Sequence, residues 1–132
     1  MPLSGDCMKI ILPGDPITKK NSQRLIWAGG RPRVLPSRKF EEYQESCGSV
    51  LRAFAPAPLI AYPVEVKCLY YRRTKRRVDL TNLLEATDDI LVHYGILADD
   101  HSGIIASHDG SRVLLDKESP RVEIEIQPLS SC

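Results

Sequence analysis

The sequence predicts a mixed α+β domain in which a single, largely antiparallel sheet is covered by two helices. Three observations carry that expectation. Pro63 to Arg72 and Arg121 to Gln127 alternate apolar and polar side chains, as half-buried strands do. Arg38 to Phe54 and the run after Asp79 instead set apolar residues three or four apart, the stripe of a surface helix. Clusters of Pro, Gly, Asn and Asp separate these stretches without any repeat or linker, so the 132 residues form one domain.

In chain order, residues 1–7 are a polar lead-in, expected to fray as residues 128–132 are. Met8 to Leu12 is a β-favouring run stopped by Pro13-Gly14, and PGDPITKKNSQR is loop. Leu25 to Trp27 and Arg31 to Leu35 flank Gly29-Gly30 as a hairpin, with Arg33 projecting. Ser37 caps a helix that buries Phe40, Tyr43, Cys47, Val50, Leu51 and Phe54, is slightly weakened by Gly48, and ends at Pro56 and Pro58. A strand over Pro63 to Arg72 follows. The second helix takes Asp79 or Thr81 as N-cap, buries Leu83, Thr87, Ile90, Leu91 and Tyr94, and stops at Gly95. Ile104 to His108 and Arg112 to Leu115 flank Asp109-Gly110, a hairpin signal, before the last strand at Arg121 to Gln127.

Apolar (42%) and charged (27%) contents exclude a disordered chain, and a net charge of +1 does not by itself point to a partner. Cys7, Cys47, Cys68 and Cys132 lie far apart with no CxxC pair, which argues against a zinc cluster. They read as small hydrophobes in a reduced, cytoplasmic protein. No apolar run approaches membrane-spanning length.

Charge is segregated in the middle of the chain. Arg72, Arg73, Lys75, Arg76 and Arg77 form a basic block, whereas Asp79 to Asp100 holds six acids and neither Lys nor Arg. Like charges gathered this way repel, and a phosphate on the basic side or a divalent cation on the acidic side would offset the cost. Asp79 sits at a strand end and helix start, and an antiparallel return after the helix would bring Asp99 and Asp100 back beside it. The plainer readings are a helix cap for Asp79, a solvated face for Asp88 and Asp89, and a turn for Asp99-Asp100. His101 and His108 with Asp99, Asp100 and Asp109 form a weaker, transition-metal alternative, and a lone histidine such as His108 near a turn is more often solvated. His93 answers the helix dipole. Trp27 reads as core or hairpin packing before a base-stacking platform.

The run RRVDLTNLLEATDDILVHYGILADD resembles the RusA family of Holliday-junction resolvases, small endonucleases common in phages and prophages. The family pattern is Asp-x-Asp-Asn opening a helix, a Lys four residues on, and an aspartate pair after a Gly. Asp79, Asn82, Leu83, Asp89, Gly95, Asp99 and Asp100 match it in order and spacing. Thr81 stands where the second motif aspartate is usual and Glu85 where the lysine is usual; Glu85 or Asp109 could replace the missing acid.

The resemblance implies a RusA-like fold and a homodimer that cuts two strands of a four-way DNA junction symmetrically with magnesium, for which manganese can substitute. On that reading Asp79 and Asp100 hold the metal, with Asp99 and Glu85 in support. Arg73, Lys75, Arg76 and Arg77 grip phosphates, and Lys19, Lys20 and Arg24 extend the track. The alternative is a protein of the same fold that binds branched DNA without cutting it.

Overall fold

Seven strands and two helices follow one another in the computed structural model, which describes residues 7–19, 24–35, 37–54 and 58–129. The order is β1 (Met8–Pro13), β2 (Arg24–Ala28), β3 (Arg31–Leu35), α1 (Arg38–Leu51), β4 (Val64–Arg72), α2 (Leu80–His93), β5 (Ile105–Ser107), β6 (Arg112–Leu115) and β7 (Arg121–Pro128). The predicted mixed sheet with two helices is present.

The two alternating stretches form the centre of the sheet. β4 and β7 pair antiparallel with Val66 opposite Ile126, Cys68 opposite Ile124 and Tyr70 opposite Val122. Because side chains alternate between faces, that register puts every one of these residues into a single core face. β1 pairs antiparallel with the other side of β7 and adds Ile10 and Leu12. β7 continues one residue past the expected Gln127, since Pro128 lies opposite Val64.

The expected hairpin at Asp109-Gly110 is absent. β5 and β6 both pair parallel with β4, Ile105 beside Val64 and Arg112 beside Leu69, so they are two pieces of one edge strand. Side chains fill the gap between the pieces. The His108 ring meets the Val66 carbonyl through Nδ1 at 2.8 Å, and the Cys68 N–H donates to Ser111 Oγ at 3.0 Å. Gly110 kinks the strand at φ +84, where an added Cβ would lie 2.8 Å from Lys67 Cδ.

The β2–β3 hairpin forms as predicted but is a separate two-stranded sheet. Trp27 is not packed: it is 73% exposed, on the same side as exposed Leu25 and Val34. The opposite side, with Ile26 and Leu35, is the half-buried one.

Ser37 caps α1, its Oγ accepting the Phe40 N–H at 3.1 Å, and Phe40, Tyr43, Cys47 and Leu51 are buried. The α-helix ends at Leu51 and tightens into a 3₁₀ turn over Arg52–Phe54, while Pro56 lies outside the described residues. Gly48 does more than weaken α1. It leaves room for the Tyr94 ring from the end of α2, whose hydroxyl donates to the Gln44 carbonyl at 3.0 Å. Gly95 (φ +76) closes α2: its N–H donates to Val92 and that of Ile96 to Leu91.

Cys47 and Cys68 are buried free thiols, pushed by burial to pKa values of about 11 and 12. Cys7 is exposed, and Cys132 lies outside the described residues. Among the described residues no helix is long and apolar enough to cross a membrane.

Candidate nucleic-acid interface and its carboxylates

The basic block forms the connection from β4 to α2, and the chain holds it in shape. The Arg73 N–H donates to Asp15 Oδ1 at 2.8 Å, the Asp116 N–H donates to the Arg72 carbonyl at 2.9 Å, and Arg72 Nη1 donates to the Arg76 carbonyl. Arg73, Lys75, Arg76 and Arg77 are therefore exposed on a tethered loop. Beside it opens a cleft of about 710 Å³ between Asp15–Thr18, Lys39 of α1 and the segment from Arg72 to Val78.

Lys39 and Arg72 were not singled out by the sequence as binding residues. Arg72 was visible within the basic block. Nothing local marks Lys39, one polar position on a helix face. Lys19 is tied to α2 by an ion pair with Asp89 at 3.1 Å, so Asp89 is not merely solvated. Lys20 lies outside the described residues, as does the side chain of Arg24.

Asp79 is exposed at the N-cap position of α2, next to the cleft-lining Val78. Its side chain makes no cap bond; Oδ2 instead accepts from Asn82 Nδ2 at 3.3 Å. Asp99 and Asp100 follow the other end of this 14-residue helix, which is about 21 Å long. The expected antiparallel return does not occur, because the chain leaves Asp100 for β5, parallel to β4. The Asp100 charge nevertheless acts on Asp88 of α2 and helps raise its pKa. The Asp100 N–H donates to Asp99 Oδ1 at 2.7 Å and lowers the Asp99 pKa. Thr81, Glu85 and Asp109 are exposed. Among the described residues no three His, Cys, Asp or Glu side chains group closely enough to hold a metal ion. That holds for His101 and His108 as well.

Asp88 reverses an expectation. It is only 8% exposed, in a buried arc with Leu83, Ala86, Thr87, Ile90 and Leu91 that the sheet edge widens beyond the predicted stripe. His108 Nε2 lies 2.9 Å from Asp88 Oδ2, so this ring bridges α2 to β4 rather than facing solvent. Asp88 Oδ1 is buried without a partner. Burial raises the Asp88 pKa more than His108 lowers it, and the bond to Asp88 raises that of His108 despite burial. The contact between them favours the ionised carboxyl and the protonated ring, while burial opposes both charges. Beside it, the Tyr70 hydroxyl and Thr87 Oγ1 lie 2.7 Å apart. No signal at helical or strand spacing links residues 88 and 108.

Among the described residues Lys39, Arg76 and Arg77 make no ion pair, and with Arg72 they line a cleft next to the exposed Asp79, an arrangement suited to an anionic group such as a phosphate. The family model for endodeoxyribonuclease RusA matches residues 13–127, and the chain belongs to that family. Its members are endodeoxyribonucleases that act on Holliday junctions. No curated protein matches the chain.

Proposed function

We infer that this chain is a divalent-metal-dependent endonuclease that resolves four-way DNA junctions as a homodimer. The observation that carries the reading is the cationic cleft opening beside Asp79. A two-fold dimer suits a two-fold junction, since identical sites then meet equivalent phosphates.

The donor chemistry fits the cation the family implies. Asp79, Asp99 and Asp100 are exposed carboxylates, and magnesium takes one or two carboxylates and completes its shell with water and substrate phosphate. A three-acid cage is therefore not needed. Asp79 would hold magnesium or manganese beside the cleft, with Glu85 in support; the expected partners Asp100 and Asp99 lie past the other end of α2 and are not gathered with it. When bound, the cation supplies a polarised phosphate and an activated water. Arg73, Lys75, Arg76 and Arg77 hold the backbone and fix its register against Asp79, with Lys19, Lys20 and Arg24 extending the track.

A labelled four-way junction incubated with and without magnesium tests this. The expected result is paired, symmetric nicks only when the metal is present. Binding without cleavage would favour a branched-DNA-binding protein, the reading that Thr81 and the ungathered carboxylates support.

A further inference from the structure

The cleft is walled on its far side by α1, an element the basic block does not belong to. Lys39 stands there in the first turn, facing a space also bordered by Arg72, Arg76 and Arg77. Lys39, Arg76 and Arg77 make no ion pair among the described residues. Asp15 is the one acid in the lining, and its Oδ1 already accepts the Arg73 N–H. Four cations against one engaged carboxylate leave a strongly positive concavity, whose walls concentrate the field towards an anion.

Arg72 adds a second observation. Its Nη1 is held by the Arg76 carbonyl, and its Nε is buried with no hydrogen-bond partner. That Nε is shut off from the cleft, but the bond to the Arg76 carbonyl holds the guanidinium in the cleft wall as a placed positive charge, which favours an anion there. About 710 Å³ is the size of a site for a nucleotide-sized group rather than for a bare ion. Val78 lines the cleft and Asp79 is the next residue, so a phosphate seated here neighbours the one held at Asp79.

We propose that this cleft seats a backbone phosphate of the DNA strand flanking the one cut, with Lys39 as its grip from α1 and Arg72 as a fixed positive charge in its wall. The proposal rests on the nuclease reading and deepens it. It makes α1 part of the DNA-binding surface, and it makes the strand path run between the helix and the basic loop instead of over the loop alone.

The test measures the salt dependence of binding between the full-length protein and a fluorescein-labelled four-way junction without magnesium, for wild type, Lys39→Gln and Lys9→Gln. Lys9 is exposed on β1 and is not part of this cleft; it borders a groove with Lys67 and Glu125 and a second pocket beside Phe54 and Ile60. The slope of log affinity against log salt should become shallower by about 0.9 in Lys39→Gln, one phosphate contact, and stay at the wild-type value in Lys9→Gln. Equal slopes in wild type and Lys39→Gln overturn the proposal, as does an equal loss in both variants, which would mean a general charge effect. If wild type itself binds the junction without salt dependence, the nuclease reading falls too, and the two failures are thereby told apart.

Discussion

Replacing His108 by alanine should unfold this protein far more readily than replacing its partner Asp88 by asparagine. His108→Ala removes one half of a pair whose side chains are 25% and 12% exposed, leaving Asp88 buried with neither carboxylate oxygen paired. Breaking such a pair costs about 3 kcal/mol at this partial burial. The lost bond to the Val66 carbonyl adds about 1 kcal/mol, for a total of about 4 kcal/mol at neutral pH. Asp88→Asn keeps the shape, and its amide can donate to a neutral imidazole, so about 1 kcal/mol is expected.

The pH dependence has a definite sign. The folded-state pKa of His108 is raised above 6.5, so its contribution is full below that value and is lost as pH rises through the higher folded-state pKa. The gap between wild type and Asp88→Asn should therefore be widest on the acid side of neutrality and close in mild alkali. The cost of His108→Ala should shrink in acid, because protonation of Asp88 removes the stranded charge. An NMR titration of the His108 ring measures the first quantity, and urea unfolding from pH 5 to pH 9 measures the two stability differences. A ring that titrates at the ordinary value, together with an Asp88→Asn variant that tracks wild type throughout, would refute the reasoning.

Three further outcomes are expected. Asp79→Asn should lower junction cleavage at least 100-fold while binding is kept or tightened, because a carboxylate facing phosphate is neutralised; single-turnover cleavage at the wild-type rate would remove Asp79 from the site. Glu85→Gln should cost roughly ten-fold in cleavage if this acid supports the metal, and unchanged activity would make it a bystander. Gly48→Ala gains up to about 1 kcal/mol of helix propensity but places a Cβ 2.6 Å from Tyr94 Cζ, so overpacking of about 1–3 kcal/mol should dominate and lower the thermal midpoint.

What the sequence revealed was what local periodicity encodes. Val64, Val66, Cys68 and Tyr70 announce a half-buried strand by alternation alone, and Phe40, Tyr43, Cys47 and Leu51 a helix by their spacing. Pairing direction is not local. Asp109-Gly110 reads the same whether it closes a hairpin or kinks an edge strand, and here the bonds from His108 and Ser111 to β4 distinguish the two. Asp88 was misplaced for the same reason, since its burial depends on a histidine 20 residues away. The basic block and the neighbouring Asp79 stand out because their charges are contiguous in sequence, and the structure places them beside one cleft. Lys39 was not, because its meaning comes from facing a loop that closes against it only in the folded chain.

The position of β7 bears on how the protein is made. Among the described residues β1 has no strand partner except β7, and β7 also fills the centre of the sheet beside β4. β1 thus waits for β7, far later in the chain, and the sheet cannot close on a nascent chain that still lacks β7. A truncated product would have no stable sheet to organise its cations and carboxylates. That order of assembly withholds the completed sheet, and the cations and carboxylates it positions, until β7 has been made.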